Sequence, residues 1–202
     1  KDIIVSPLEH SAVLNTIEFA VKYFNIKAHY LNVIKNGDVD INHLEELLKD
    51  KPNALVCIAH SNNEIGCLIP LKDIANICIK HHAFFFSDTV QTIAKYDINL
   101  GGSNISMATG SAHKFHGLKG IGFLFKSENI SIERIINGGA QERNLRSGTE
   151  NIIGIISMQI ALKKAFSELE HNKKHIDGRL IVKKCNHLSD LKPAKAKMQP
   201  AK

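Results

Sequence analysis

The chain has 202 residues, 44% hydrophobic and 23% charged, an ordinary globular mixture that can bury a sizeable core in one domain or one and a half. Its net charge of +6 comes from 26 basic and 20 acidic residues, and residues 192–202, KPAKAKMQPAK, hold four lysines and no acid. Without that stretch the count is 22 against 20, which argues against a basic nucleic-acid surface on the fold.

No apolar run is long enough to cross a membrane, and no signal peptide is recognisable. Cys57, Cys67, Cys78 and Cys185 form no CxxC pair and no zinc-like spacing, as expected of a reduced, cytoplasmic chain. The first residues, KDIIVSPLEH, lack Met and begin inside an apparent strand, so a fragment whose beginning is missing is expected.

In chain order, DIIVS (2–6) reads as a strand and SAVLNTIEFAVKYF (11–24) as a helix. KAHYLNV (27–33) reads as a strand, NGDVD (36–40) as a turn and INHLEELLKD (41–50) as a helix. ALVCIAH (54–60) is a strand. LKDIANICIKHH (71–82) places apolar residues at 71, 74, 75, 78 and 79, one helical face. AFFFSD (83–88), ISMATG (105–110) and GIGFLF (120–125) are strands. Residues 147–171 read as a helix, with Ser147 and Glu150 spaced as a capping box and Ile152, Ile156, Ile160 and Leu169 on one buried face. Past about residue 175 the pattern weakens, so the expected organisation is one domain over 1–175 and a poorly defined, Lys-rich segment over 176–202.

Alternating strands and helices predict an α/β fold, and strands apolar throughout predict a mainly parallel sheet covered on both faces, a three-layer arrangement. Function in such sheets gathers at the carboxyl ends of strands. Polar residues follow four of these strands: His10 after the first, HSNNEIG after the third, DTVQT after AFFFS, and SAHK after ISMATG.

Lys114, in a small-residue loop, is either a solvated charge or an amine desolvated enough to form a Schiff base. Asp88 ends an apolar strand, where a carboxylate needs a partner. A protonated pyridine nitrogen would serve, and so would backbone amides if Asp88 caps the segment after it. Ser111 and His113 suit a phosphate or a polar turn. His10 could stack on a ring and shuttle a proton, or be structural. Gln91 and Asn63 could hydrogen-bond a phenolic oxygen or tie down loops.

Five stretches occur in order: LEHSAV (8–13), HSNNEIG (60–66), SDTVQT (87–92), SAHKFHGLKGIGFL (111–124) and NGGAQERNLRSGTEN (137–151). Together they resemble the large domain of a cysteine desulfurase of the nitrogen-fixation and iron–sulfur-assembly type, a fold-type I, class V aminotransferase-like family that uses pyridoxal 5'-phosphate. The resemblance covers about residues 1 to 175. It implies that Lys114 anchors the cofactor, Asp88 pairs with the pyridine nitrogen, and Gln91 and Asn63 face the ring oxygen. It further implies that His10 stacks on the ring and assists proton transfer, and that Ser111 and His113 bind phosphate. Thr149 would reach the phosphate in the neighbouring subunit of a homodimer. The implied reaction takes L-cysteine to L-alanine and hands sulfur, as a persulfide, to an acceptor or scaffold protein.

The family's upstream phosphate loop, its catalytic-cysteine loop and its substrate-carboxylate arginine are expected before residue 1 and well past residue 175. Cys185 lacks the small-residue surroundings of that loop, Cys57 reads as strand core, Cys78 as helix face and Cys67 as partly exposed, so the persulfide cysteine is left unassigned. Ala112 stands where the family often has Gly. Other class V enzymes, such as a selenocysteine lyase or an aminotransferase, and a non-catalytic interaction protein that keeps the fold are the alternatives.

Overall fold

The computed structural model describes residues 1–173, so the expected segment 176–202, with its Lys-rich end and Cys185, lies outside the described residues. Six strands form one sheet: β1 (Asp2–Val5), β2 (Lys27–Tyr30), β3 (Leu55–Cys57), β4 (Phe84–Asp88), β5 (Met107–Ser111) and β6 (Gly122–Lys126). Their order is β2-β1-β3-β4-β5-β6. The first five are parallel and β6 returns antiparallel to β5. The mainly parallel α/β sheet expected from the sequence is present, with strands shorter than their apolar runs suggest.

The helices are α1 (Ser11–Phe24), α2 (Ile41–Lys49), α3 (Leu71–Lys80), a single turn α4 (Gln141–Asn144), and α5 (Ile152–Ser167). Strand side chains alternate between faces, and the two faces make separate cores. Ile3, Val5 and Cys57 pack with Ile17 of α1 on one face. Ile4, Val56, Phe85 and Ala108 pack with Leu44 and Leu48 of α2 and with Ile74, Ala75 and Cys78 of α3 on the other. The α3 face predicted at 71, 74, 75 and 78 is buried, whereas Ile79 is exposed.

Two expectations for residues 147–171 fail. The helix starts at Ile152, capped by Asn151, whose side-chain oxygen accepts from Gly154 N at 3.0 Å. Ser147 is no N-cap: its hydroxyl donates to the Gly139 carbonyl at 2.6 Å and closes the glycine-rich loop. Left-handed backbone at Glu142, Arg143 and Asn144 lets that loop fold onto itself.

Ile152, Ile156 and Ile160 are 64%, 51% and 62% exposed, and Leu169 is half-buried. The face that packs carries Met158, Ala161, Leu162 and Ala165 against Ala112 and Phe115. α5 is apolar on nearly every side, so periodicity could not choose its buried face. The small Ala161 and Ala165 permit close approach to the one-turn 3₁₀ helix Ala112–Phe115 that follows β5.

Ala112 is fully buried and its φ is not positive, so its methyl group is accommodated. Gly110 faces Phe123 so closely that a β-carbon there would collide with the ring.

Phe85→Ala, at a fully buried position, is expected to cost about 3–5 kcal/mol. Ile156→Ala, on the open face of α5, is expected to stay within about 0.5 kcal/mol at concentrations where the chain is monomeric. Urea denaturation of the two variants separates a core position from a surface one; a large loss for Ile156→Ala contradicts this packing.

Candidate active site

Parallel pairing in register points four strand ends to the same edge of the sheet: Val5 pairs with Cys57 and Cys57 with Phe86, while β4 runs on to Asp88, beside Thr109, and β5 to Ser111. β1 lies between β2 and β3, so the chain leaves it in one direction and returns on its other side, the switch point at which open α/β sheets bind ligands. On the α1 face, beside the carboxyl ends of β3, β4 and β5, lies a cavity of about 540 Å³. Its lining includes His10, Asn63, Asp88, Gln91, Ser111, His113 and Lys114. Seven of the eight residues singled out in the sequence therefore meet around one space. Thr149 is not among the lining residues and is exposed in the loop before α5 rather than in the first turn of a helix.

Asp88 is half-buried at the end of β4, with Oδ1 accepting from Val90 N at 2.9 Å. No described residue donates to Oδ2. Capping of the following segment thus occupies Oδ1 and leaves Oδ2 open to a ligand. Lys114 is exposed, carried by the 3₁₀ turn directly after β5. Ser111 Oγ and His113 Nδ1 lie 2.9 Å apart, holding both side chains at the rim. His10 caps α1, its Nδ1 accepting from Ala12 N at 3.1 Å. That bond leaves Nε2 as the ring atom available to a ligand.

The donor set fits pyridoxal phosphate. An amine, a carboxylate oxygen without a protein donor, side-chain amides and a hydroxyl–imidazole pair surround a space large enough for a substituted ring.

Sequence reasoning missed two buried groups beside this cavity. Glu9 is 6% exposed. One of its oxygens accepts from Ala59 N, and Oε2 has no partner. Burial, with a smaller push from the Asp88 charge, raises its carboxyl to about 7, against the one Ala59 bond. His60 is buried with Nδ1 2.8 Å from Thr92 Oγ1, and burial lowers its imidazole to about 4. A polar residue embedded beside an apolar strand was the available signal for both. Asn62 also went unremarked: its amide donates to Leu8 O at 2.7 Å, and its oxygen accepts from Glu64 N and Ile65 N.

The two buried groups oppose each other in pH dependence. Folded Glu9 keeps its proton from about pH 4.5 to 7, where the unfolded chain has released it, so its contribution to stability is lost as pH rises through that window. Folded His60 stays neutral between about 4 and 6.5, where the unfolded chain binds a proton, so its contribution is lost as pH falls. Each amounts to about 3 kcal/mol across its window. Relative to wild type, Glu9→Gln is expected to gain about that much between pH 4.5 and 7, and His60→Asn to gain as pH falls from 6.5 to 4. Urea midpoints measured at several pH values check both signs.

The class-V aminotransferase family model matches residues 1–192. The chain is 37% identical over 182 residues to a cysteine desulfurase IscS of Clostridium botulinum, covering 89% of this chain and 45% of that protein. It is 38% identical over 170 residues to the cysteine desulfurase IscS of Dictyoglomus turgidum, covering 84% and 43%. Among solved structures, a NifS-like protein superposes with a TM-score of 0.83 at 38% identity, over 88% of this chain and 49% of that one. SspA in complex with cysteine gives 0.75 at 35% identity, over 80% and 47%. The chain thus spans less than half the length of these curated relatives. With the five motifs, the sheet order and the cavity, the match across most of the sequence makes this chain a member of the class-V aminotransferase family.

Proposed function

We propose that this chain supplies the cofactor-holding part of a pyridoxal-phosphate-dependent cysteine desulfurase, which takes L-cysteine to L-alanine and passes the sulfur, as a persulfide, to an acceptor or scaffold protein for iron–sulfur assembly. The observation that carries the reading is the convergence of seven chemically matched side chains from four separate strand ends on one cavity. The similar proteins, cysteine desulfurases and a protein solved with cysteine, support the substrate.

Pyridoxal phosphate, when bound, supplies an electron sink next to its carbonyl carbon. Lys114 would hold it through its amine, a group that can also move a proton within the cavity. Asp88 Oδ2 accepts from the ring nitrogen and keeps a proton there. Gln91 and Asn63 donate to the phenolic oxygen. Ser111 and His113 bind phosphate. His10 would lie against the ring; its Nδ1 is committed to the α1 backbone, so Nε2 is the atom that carries its proton.

The sulfur-accepting cysteine is not Cys57 or Cys78, because burial pushes both thiols up to about 12 and leaves little thiolate. The exposed isoleucines of α5 and the exposed Thr149 support a homodimer in which Thr149 reaches the partner's phosphate. None of the described helices is long and apolar enough to cross a membrane, and a cytoplasmic location accords with the proposed chemistry.

Mixing the chain with pyridoxal phosphate is expected to give an absorbance band near the visible edge, with borohydride fixing the cofactor on Lys114. Lys114→Ala abolishes the fixation, and Asp88→Asn weakens affinity roughly ten- to hundredfold through loss of a charge-assisted hydrogen bond. A band that survives Lys114→Ala refutes the anchoring role. In the full-length protein, sulfide release from L-cysteine is expected to exceed alanine transamination; the reverse ranking favours an aminotransferase.

A further inference from the structure

The turn from Ser6 to His10 and the loop from Ala59 to Ile65 flank one end of the cavity. They are cross-linked in opposite directions by two side chains. Asn62 donates to the Leu8 carbonyl at 2.7 Å, and Glu9 accepts from the Ala59 backbone amide. The Glu9 bond joins a residue directly before His10 to a residue lining the cavity. Its second oxygen is buried without a partner.

The groups facing Glu9 offer it no cation. Cys57 at the end of β3 and Cys67 across the neighbouring space are thiols that burial keeps neutral, and Asp88 at the end of β4 is an anion. His60, directly after Ala59 in the same loop, is held neutral by burial. The space beside Glu9 measures about 10 Å³, too small for a hydrated counter-ion. An ionised carboxyl there would be both desolvated and repelled by Asp88.

We propose that Glu9 is a positioning residue: its buried carboxyl fastens the turn carrying His10 to the end of β3, and does so uncharged, leaving Asp88 as the acid that faces the cavity. The bearing on the cofactor rests on the pyridoxal phosphate reading; the latch does not. Two anions close together would compete for one ring-nitrogen proton and repel the cofactor's phosphate. A neutral Glu9 keeps the hydrogen bond without adding that charge.

Carbon-13 NMR of the full chain, labelled at glutamate carboxyls and histidine rings, tests this without cofactor. Glu9→Gln identifies the Glu9 resonance. It is expected to titrate near pH 7, not with ordinary glutamates near ~4.3; titration with the others overturns the proposal. The His10 ring resonances, at pH 6, are expected to hold their wild-type positions in Glu9→Gln, a neutral isostere that keeps the acceptor, and to move in Glu9→Ala. Movement in both, or in neither, also overturns it.

Pyridoxal phosphate affinity at pH 6 follows the same order: within about twofold of wild type for Glu9→Gln, and weaker by roughly tenfold for Glu9→Ala, the loss expected from one buried hydrogen bond. A tenfold loss in Glu9→Gln counts against the uncharged latch. If the wild-type chain itself fails to bind pyridoxal phosphate, the cofactor reading is what fails, and the NMR result still decides the role of Glu9.

Discussion

Parallel pairing between β1, β3, β4 and β5 is the constraint on which the site depends. A parallel ladder makes every strand run the same way, so all carboxyl ends emerge on one side of the sheet. The register then sets their depth: Asp88 stands beside Thr109, one residue pair beyond the Ser87–Ala108 pair. Residues far apart in the chain, His10, Asn63, Asp88 and Lys114, become neighbours because four short parallel strands open onto one edge of the sheet. A slip of one residue would turn Asp88 from the α1 face to the face covered by α2 and α3.

The packing on the two faces protects that register. Fully buried Ile4, Val56 and Phe85 sit on one face, and Val5 and Cys57 on the other. The hydrogen bonds that leave the sheet at its carboxyl end extend the alignment beyond the strands. Ser6 N donates to Cys57 O, Ile58 N to Phe86 O, His60 N to Asp88 O and Thr89 N to Thr109 O. The cavity therefore has a stiff floor, while its rim is built from Lys114, His113 and Asn63, all exposed. Rigid support under exposed polar groups is an arrangement that suits ligand binding.

Glu9 and His60 show a cost of placing function at strand ends. Polar chain emerging from an apolar sheet must be satisfied locally or held neutral. Burial pushes the Glu9 carboxyl and the His60 imidazole toward their uncharged forms, from opposite sides of neutrality. The glycine-rich loop solves the same problem with backbone geometry, using left-handed residues and the Ser147 hydroxyl to satisfy its own carbonyls.

The strands and helices were legible in the sequence because their signals are local: apolar runs for the strands, and three-to-four spacing for α1, α2 and α3. The grouping of Lys114, Asp88, Gln91 and Asn63 around one space was legible because five motifs stand in fixed order, although none of them alone decided between chemistry and structure. Tertiary structure decided what depends on distant neighbours. It chose the alanine face of α5 over its isoleucine face, because close approach to Phe115 needs small side chains. It turned Ser147 from an expected cap into a loop clasp, because its partner is the Gly139 carbonyl and not a helical amide. It buried Glu9, whose place beside His10 in the sequence says nothing of the Ala59 amide fifty residues on. Local patterning thus names the parts, and burial and cross-strand hydrogen bonding, which no local window contains, determine which of them carry charge at the site.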